Sequence, residues 1–224
     1  MSDFTFGELD RDGALEEAMA SVHGDTRAGL FRKTLIGGAA LLGAGAMPAA
    51  AAAQSDGDVH ILNYALTLEL IQDSFYSEVE QLGAIKGALA EQARVVAAHE
   101  RAHVRAFQQV LGDKAVKRPR FDFRGATENA ARFRRTAVAF EDLAVAAYKG
   151  AAPLIKSRAY LVPALAIHTV EARHAAWIRR LAGITPAAAA FDQPRTEAST
   201  LKVVEQADFT VDMQTSGSAP RFTG

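Results

Sequence analysis

The 224-residue chain contains no cysteine, and that one absence excludes disulfides, thiolate zinc sites, iron–sulfur clusters and cysteine nucleophiles together. Any metal must therefore be held by histidine and carboxylate. An excess of one charge is lacking too. The 25 basic and 26 acidic residues leave a formal net charge of −1, and the basic residues are scattered over the sequence, so no nucleic-acid partner is expected. No apolar run reaches the roughly 20 residues of a spanning helix. The stretch from Thr34 to Met47, rich in Gly, Ala and Leu, falls short of it.

What is present is enough hydrophobic material, 49% of residues, for one good-sized domain with tails. Residues 1–53 read as an export signal-like segment. A polar, acidic opening is followed by Arg27, Arg32 and Lys33, then the Thr34–Met47 run, then small residues from Ala49 to Ala53 that offer an A-x-A cut. The expected location is therefore outside the cytoplasm, periplasmic or extracytoplasmic, with no stable membrane span once the signal is removed. The long opening resembles twin-arginine signals but lacks the arginine pair, which leaves both the Sec and the Tat-like route open. A retained Ala-rich anchor or arm is the alternative. At the other end, residues 211–224 read as a disordered tail.

Between these tails the apolar spacing predicts four long helices. The first runs from about Asp58 to Gly83, on Ile61, Tyr64, Ala65, Leu68, Ile71, Phe75 and Val79. The second runs from about Ala88 to Leu111, and Gly83 and Gly87 bracket the tight turn between them. The third, about Thr127 to Lys149, is expected to start on a capping Thr127 with Glu128 in its first turn. The fourth runs from about Arg158 to Ala182 behind Ser157, and Pro163 predicts a kink or late start there. A short helix over Thr196 to Gln206 is expected after them. The unpatterned stretch Gly112 to Gly125 is long for a loop, but fourteen extended residues reach roughly 45 Å. That exceeds the roughly 36 Å of a 24-residue helix, so it can traverse the bundle and restart at the far end.

Two of the four helices carry Glu-x-x-His within an apolar stripe: Glu100 with His103, and Glu171 with His174. Three residues apart on a helix, the two side chains share a face and can grip one metal ion. With six His and thirteen Glu, about a third of one such pair is expected by chance, so a single copy would carry little weight. Each pair also has an upstream companion, Glu69 lying 31 residues before Glu100 and Glu141 lying 30 before Glu171. In an antiparallel hairpin, residues equidistant from the turn lie level. Around residue 85, Glu69 and Glu100 are 16 and 15 residues away; around residue 156, Glu141 and Glu171 are each 15 away. All four come out about 23 Å from their turns. With the crossover laying one hairpin beside the other, four glutamates and two histidines meet mid-bundle, as in dinuclear carboxylate bundles. Four buried carboxylates without cations would cost several kcal/mol each or stay protonated, whereas two divalent ions balance them.

Among the neighbours, Tyr76 and Tyr148 each follow a hairpin glutamate by seven residues; they are expected as core aromatics, with donors to the ligands as the alternative. His168 is expected as a core or rim histidine, and His99 as a surface residue facing away from Glu100. Leu66-Thr67-Leu68-Glu69 with Phe75-Tyr76, His99-Glu100-Arg101-Ala102-His103, and Thr169-Val170-Glu171-Ala172-Arg173-His174-Ala175-Ala176 resemble the ferritin-like domain of bacterial exported proteins and plant desiccation-related proteins. The likeness covers about residues 57–210. It implies an all-α, ferritin-like antiparallel four-helix bundle of two hairpins joined by a long crossover, with metal ligands at Glu69, Glu100, His103, Glu141, Glu171 and His174.

Three functions remain open at this stage. Two iron ions would activate dioxygen or peroxide as an oxidoreductase. Two manganese ions on the same six ligands would make a catalase. A non-enzymatic stress or desiccation-related protein would use the metals mainly to neutralise its interior. The expected partners are metal ions and a small-molecule oxidant, and a homodimer is compatible with the pattern.

Overall fold

The computed structural model describes residues 55–211; the export segment and all but the first residue of the expected tail lie outside that range. Among the described residues there are five α-helices and no strand: α1 Asp56–Leu82, α2 Gly87–Leu111, α3 Ala130–Ala151, α4 Arg158–Leu181 and the short α5 Glu197–Ala207. Helices α1 and α2 pack as one hairpin and α3 and α4 as the other. The fold is the expected all-α bundle of two hairpins. No described helix is long and apolar enough to cross a membrane.

The ends of the elements follow from local chemistry. The Ser55 hydroxyl accepts from Asp58 N–H at 3.1 Å to start α1, and Gly83, at φ 57°, stops it. Helix α3 begins three residues later than expected. Its cap is Asn129, whose Oδ1 accepts from the N–H groups of Ala131 and Arg132 at 3.0 Å each. Thr127 is instead fully buried and donates its hydroxyl to Glu78 Oε1 at 2.6 Å, because residues 124–128 form turns with Arg124 and Gly125 at positive φ. Ser157 stands at the cap position of α4 without a capping side-chain bond. The buried carboxylate of Asp58, at the start of α1, accepts from Lys156 and Ser157 N–H at 2.8 and 3.1 Å and ties the two hairpins together there. The helical run of α4 passes through Pro163, so the late start is not observed.

The crossover runs alongside α1 in the same direction. Lys114 O and Val116 N–H bond Asn63, Arg118 bonds Leu70 O, Ser74 and Asp73, and Thr127 bonds Glu78. From Asn63 to Glu78 is about 22 Å of helix. The segment therefore climbs α1 and delivers α3 at the end where α1 finishes. With α5 also against it, α1 is buried round most of its circumference, well beyond the one stripe that its spacing marks.

The core is layered. One apolar cluster holds Ile61, Leu62, Leu66, Phe107, Leu111 and Tyr160; a second holds Phe75, Val79, Val96, Phe123, Phe133 and Ile178. Phe75 anchors the second, stacked on Phe133 at 5.6 Å and edge-on to Phe123 and Phe140. On every helix the four glutamates fall between these two plugs.

Beyond α4 the chain folds back on α3, and Arg195 N–H donates to Ala146 O at 2.9 Å. A Cβ on Gly150 would lie 2.0 Å from Arg195 O, so only glycine admits this approach. Gly150→Ala should push the segment off α3 and cost about 1–3 kcal/mol, read as a drop of roughly 2–4 °C per kcal/mol in Tm. Gly57→Ala, whose added Cβ meets nothing nearer than Ser55 Oγ at 3.9 Å, should leave Tm unchanged or raise it.

Candidate metal centre

The mid-bundle layer contains all six residues singled out from the sequence. Glu69 comes from α1, Glu100 and His103 from α2, Glu141 from α3, and Glu171 and His174 from α4. The four glutamates are 0% exposed, His103 8% and His174 3%. Both histidines point Nδ1 inward. His103 Nδ1 lies 3.1 Å from Glu69, 3.6 Å from Glu100 and 3.3 Å from Glu171; His174 Nδ1 lies 3.2 Å from Glu100, 3.6 Å from Glu141 and 3.7 Å from Glu171. The pattern is two-fold: Glu69 belongs to one histidine and Glu141 to the other, while Glu100 and Glu171 serve both. Potential donor atoms of Glu69, Glu100, His103 and Glu171 lie within 4.8 Å of one another, as do those of Glu141, Glu171 and His174.

These short distances are mostly not hydrogen bonds. Both oxygens of Glu100, Glu141 Oε2, Glu171 Oε1 and His174 Nδ1 are buried and have no hydrogen-bond partner. Native interiors seldom leave such atoms unpaired. Converging donor atoms left without partners are the arrangement a cation satisfies, and an all-carboxylate-and-imidazole donor set fits divalent iron or manganese.

Electrostatics describes the same crowding. Burial, then Glu171 and Glu69, pushes Glu100 well above the usual carboxylate range. Burial raises Glu141 to about 7 against the pull of His174. In Glu171 burial acts upward too, but the two facing imidazoles of His103 and His174 outweigh it and hold the group low. Burial works against protonation of the two histidines, yet the surrounding carboxylates raise both.

Around the six sit residues that sequence reading placed differently or passed over. Tyr76 and Tyr148 are not plain core aromatics. The Tyr76 hydroxyl donates to Glu141 Oε1 and the Tyr148 hydroxyl to Glu69 Oε1, so each tyrosine holds the glutamate of the opposite hairpin. A helical side chain covers the turn before its own Cα, which brings both rings back to the carboxylate layer. Burial first, then the adjacent glutamate, raises both phenols.

His99 is exposed, as expected, but the expectation missed its partner: its ring stacks on His174 at 5.1 Å and its Nδ1 lies 2.9 Å from His174 Nε2. One residue back from Glu100 is a rotation of about 100°, and that direction points at α4. Burial, then His174 and His103, lowers His99 to about 4. His168 stays out of both donor groups and stacks on Tyr148 at 6.4 Å. Gln72 was missed: it is buried, with Nε2 3.5 Å from Glu171 Oε2. Its signal was available, since Glu69-x-x-Gln72 repeats on α1 the spacing of the two Glu-x-x-His pairs.

A family model described as ferritin-like domain matches residues 57–183, more than half of the chain and all six residues of the layer. No curated protein matches the chain.

Kept free of metal by a chelator, the protein should be more stable in mild acid than at alkaline pH. The folded value of Glu141, about 7, lies above its ordinary 4.5, so its contribution is whole below about 4.5 and is lost as pH rises to about 7. Glu100, raised for the same reason, acts in the same sense. His103 and His174, also raised, contribute below their ordinary 6.5 and lose that contribution as pH passes their folded values. Glu171 alone acts oppositely, and only below its ordinary 4.5. Calorimetric scans of the chelated protein at pH 5 and pH 8 check this. A higher Tm at pH 8 would contradict the burial of proton-hungry carboxylates.

Proposed function

The chain belongs to the ferritin-like domain family, and from that premise we propose that it holds two iron ions in the mid-bundle layer and uses them as an oxidoreductase toward dioxygen or peroxide. The observation that carries this reading is the set of converging, unpaired buried donor atoms on Glu100, Glu141, Glu171 and His174. Four carboxylates balance two divalent ions in formal charge, and the layer offers one histidine and one hairpin glutamate to each.

The six residues divide by position. Glu69 with His103 would hold one ion and Glu141 with His174 the other, while Glu100 and Glu171, which reach both histidines, would be shared. Iron held there would supply the electrons for reduction of the oxidant. The protein's part is orientation. Tyr76 and Tyr148 each occupy one oxygen of a hairpin glutamate and leave the other for an ion. His99, neutral at pH 7 because its value is lowered to about 4, would accept the Nε2 proton of His174 once an ion is in place and so fix the tautomer with the Nδ1 lone pair inward. The two apolar plugs keep bulk water from the ends of the layer.

Elemental analysis of the purified protein, followed by oxygen uptake with ferrous ion against oxygen release from peroxide, tests the assignment. Uptake supports the iron reading, release with bound manganese replaces it by the catalase, and metal with neither activity replaces it by a non-enzymatic role. Glu100→Ala or Glu171→Ala should bring the metal content well below two per chain and abolish activity; retention of two ions by both would falsify the shared-carboxylate arrangement. His99→Ala should weaken metal affinity about 10- to 100-fold, and His99→Gln should recover part of it.

Export belongs to the same proposal and is supported by the basic, apolar, small-residue order of Arg27 to Ala53. Protein recovered from its native host should begin between Ala50 and Asp56 on N-terminal sequencing. Intact Met1 protein in the cytoplasm would sink that part alone.

A further inference from the structure

Beside the carboxylate layer, the groove between α1 and α3 opens into an apolar cavity of about 260 Å³. Leu68 and Ile71 of α1, Phe140 and Leu143 of α3, and Val204 and Phe209 from the C-terminal part form its walls. The last two lie beyond residue 183, where the family match ends, so the roof is an addition to the domain. On α3 the lining extends from Arg135 to Ala144, about 13 Å of helix.

Polar groups mark two sides of this space. Gln72, 2% exposed, lines the inner side. Its Oε1 has no partner among the described residues and its Nε2 faces Glu171. Arg135 lines the outer side, is exposed, and enters no ion pair or hydrogen bond among the described residues. A dry apolar cavity of about 150 Å³ takes a benzene, so this one takes about ten carbon atoms by the same measure.

We infer that this cavity is a binding site for a medium-chain aliphatic carboxylic acid of about ten carbons, its carboxylate paired with Arg135 and its chain buried along α3. The charge of the rim selects the acid over a neutral molecule, and the apolar lining drawn out along α3 suits an extended chain. The site stands whether or not the layer beside it holds metal. An occupant would lie one side chain, Gln72, away from Glu171.

Decanoate and decanol titrated calorimetrically into the purified full chain, below micelle-forming concentrations, test this. Decanoate is expected to bind at one site per chain and more tightly than decanol. Arg135→Gln should weaken decanoate about fivefold, the size of an exposed ion pair, and leave decanol unchanged. Val204→Trp, which fills the space beneath α5, should weaken both at least tenfold. Should Val204→Trp melt early, Ala139→Leu on the exposed side of the lining replaces it, with the same direction expected. Absence of decanoate binding overturns the inference, as does unchanged binding in the filled variants. Equal affinities for acid and alcohol, or insensitivity of decanoate to Arg135→Gln, overturn it by removing the carboxylate contact. Binding that appears only after residues 212–224 are deleted would assign the cavity to the chain's own terminus and overturn it likewise.

Discussion

Four carboxylates placed out of contact with water set the conditions that the rest of this bundle meets. Each would be costly alone, since an isolated buried charge is either neutralised by a proton or matched by a cation. The arrangement around them distributes that demand. Two histidines face inward, two phenols occupy one oxygen of each hairpin glutamate, and two glutamates lie between the histidines. Because Tyr76 serves Glu141 and Tyr148 serves Glu69, neither hairpin completes its own half of the layer. The docking of the hairpins and the assembly of the layer are therefore one event, and an ion bound there would contribute to folding.

Much of this was legible in the amino-acid order because it depends on helical arithmetic. Equal distances from two turns put Glu69, Glu100, Glu141 and Glu171 at one level, and spacing of three put each histidine beside its glutamate. The crossover was legible for a similar reason, since only a segment long enough to traverse a helix keeps both hairpins level. The misreadings came from quantities that a single helix does not contain. A helical wheel gives the direction of His99 relative to its own axis, not the presence of α4 in that direction. Thr127 has the chemistry of a cap, but its hydroxyl meets Glu78, a residue 49 positions earlier in the chain. The role of Gln72 required comparing α1 with α2 and α4 at the same offset. Tyr76 and Tyr148 required knowing how far each ring leans back along its helix.

The parts outside the two hairpins act mainly on α1. The crossover is fastened along it from Asn63 to Glu78, and the C-terminal part packs against it and α3. That enclosure explains why α1 buries residues on nearly every side while α2, α3 and α4 keep an ordinary exposed face. It also places an apolar cavity on the α1–α3 side, opposite the exposed edge where His99 meets His174. The layer is thus flanked by an apolar neighbour on one side and by a solvent-facing imidazole on the other.

The two plugs of the core have a kinetic meaning. With Leu62, Leu66 and Phe107 filling one end and Phe75, Phe123 and Phe133 the other, the bundle axis offers no path for a hydrated ion. An ion would have to cross the side wall, where helices of different hairpins meet and no covalent turn holds them together. Its dwell time would then depend on how often the hairpins part, a local opening whose free energy lies below that of global unfolding, and not on the strength of its coordination alone.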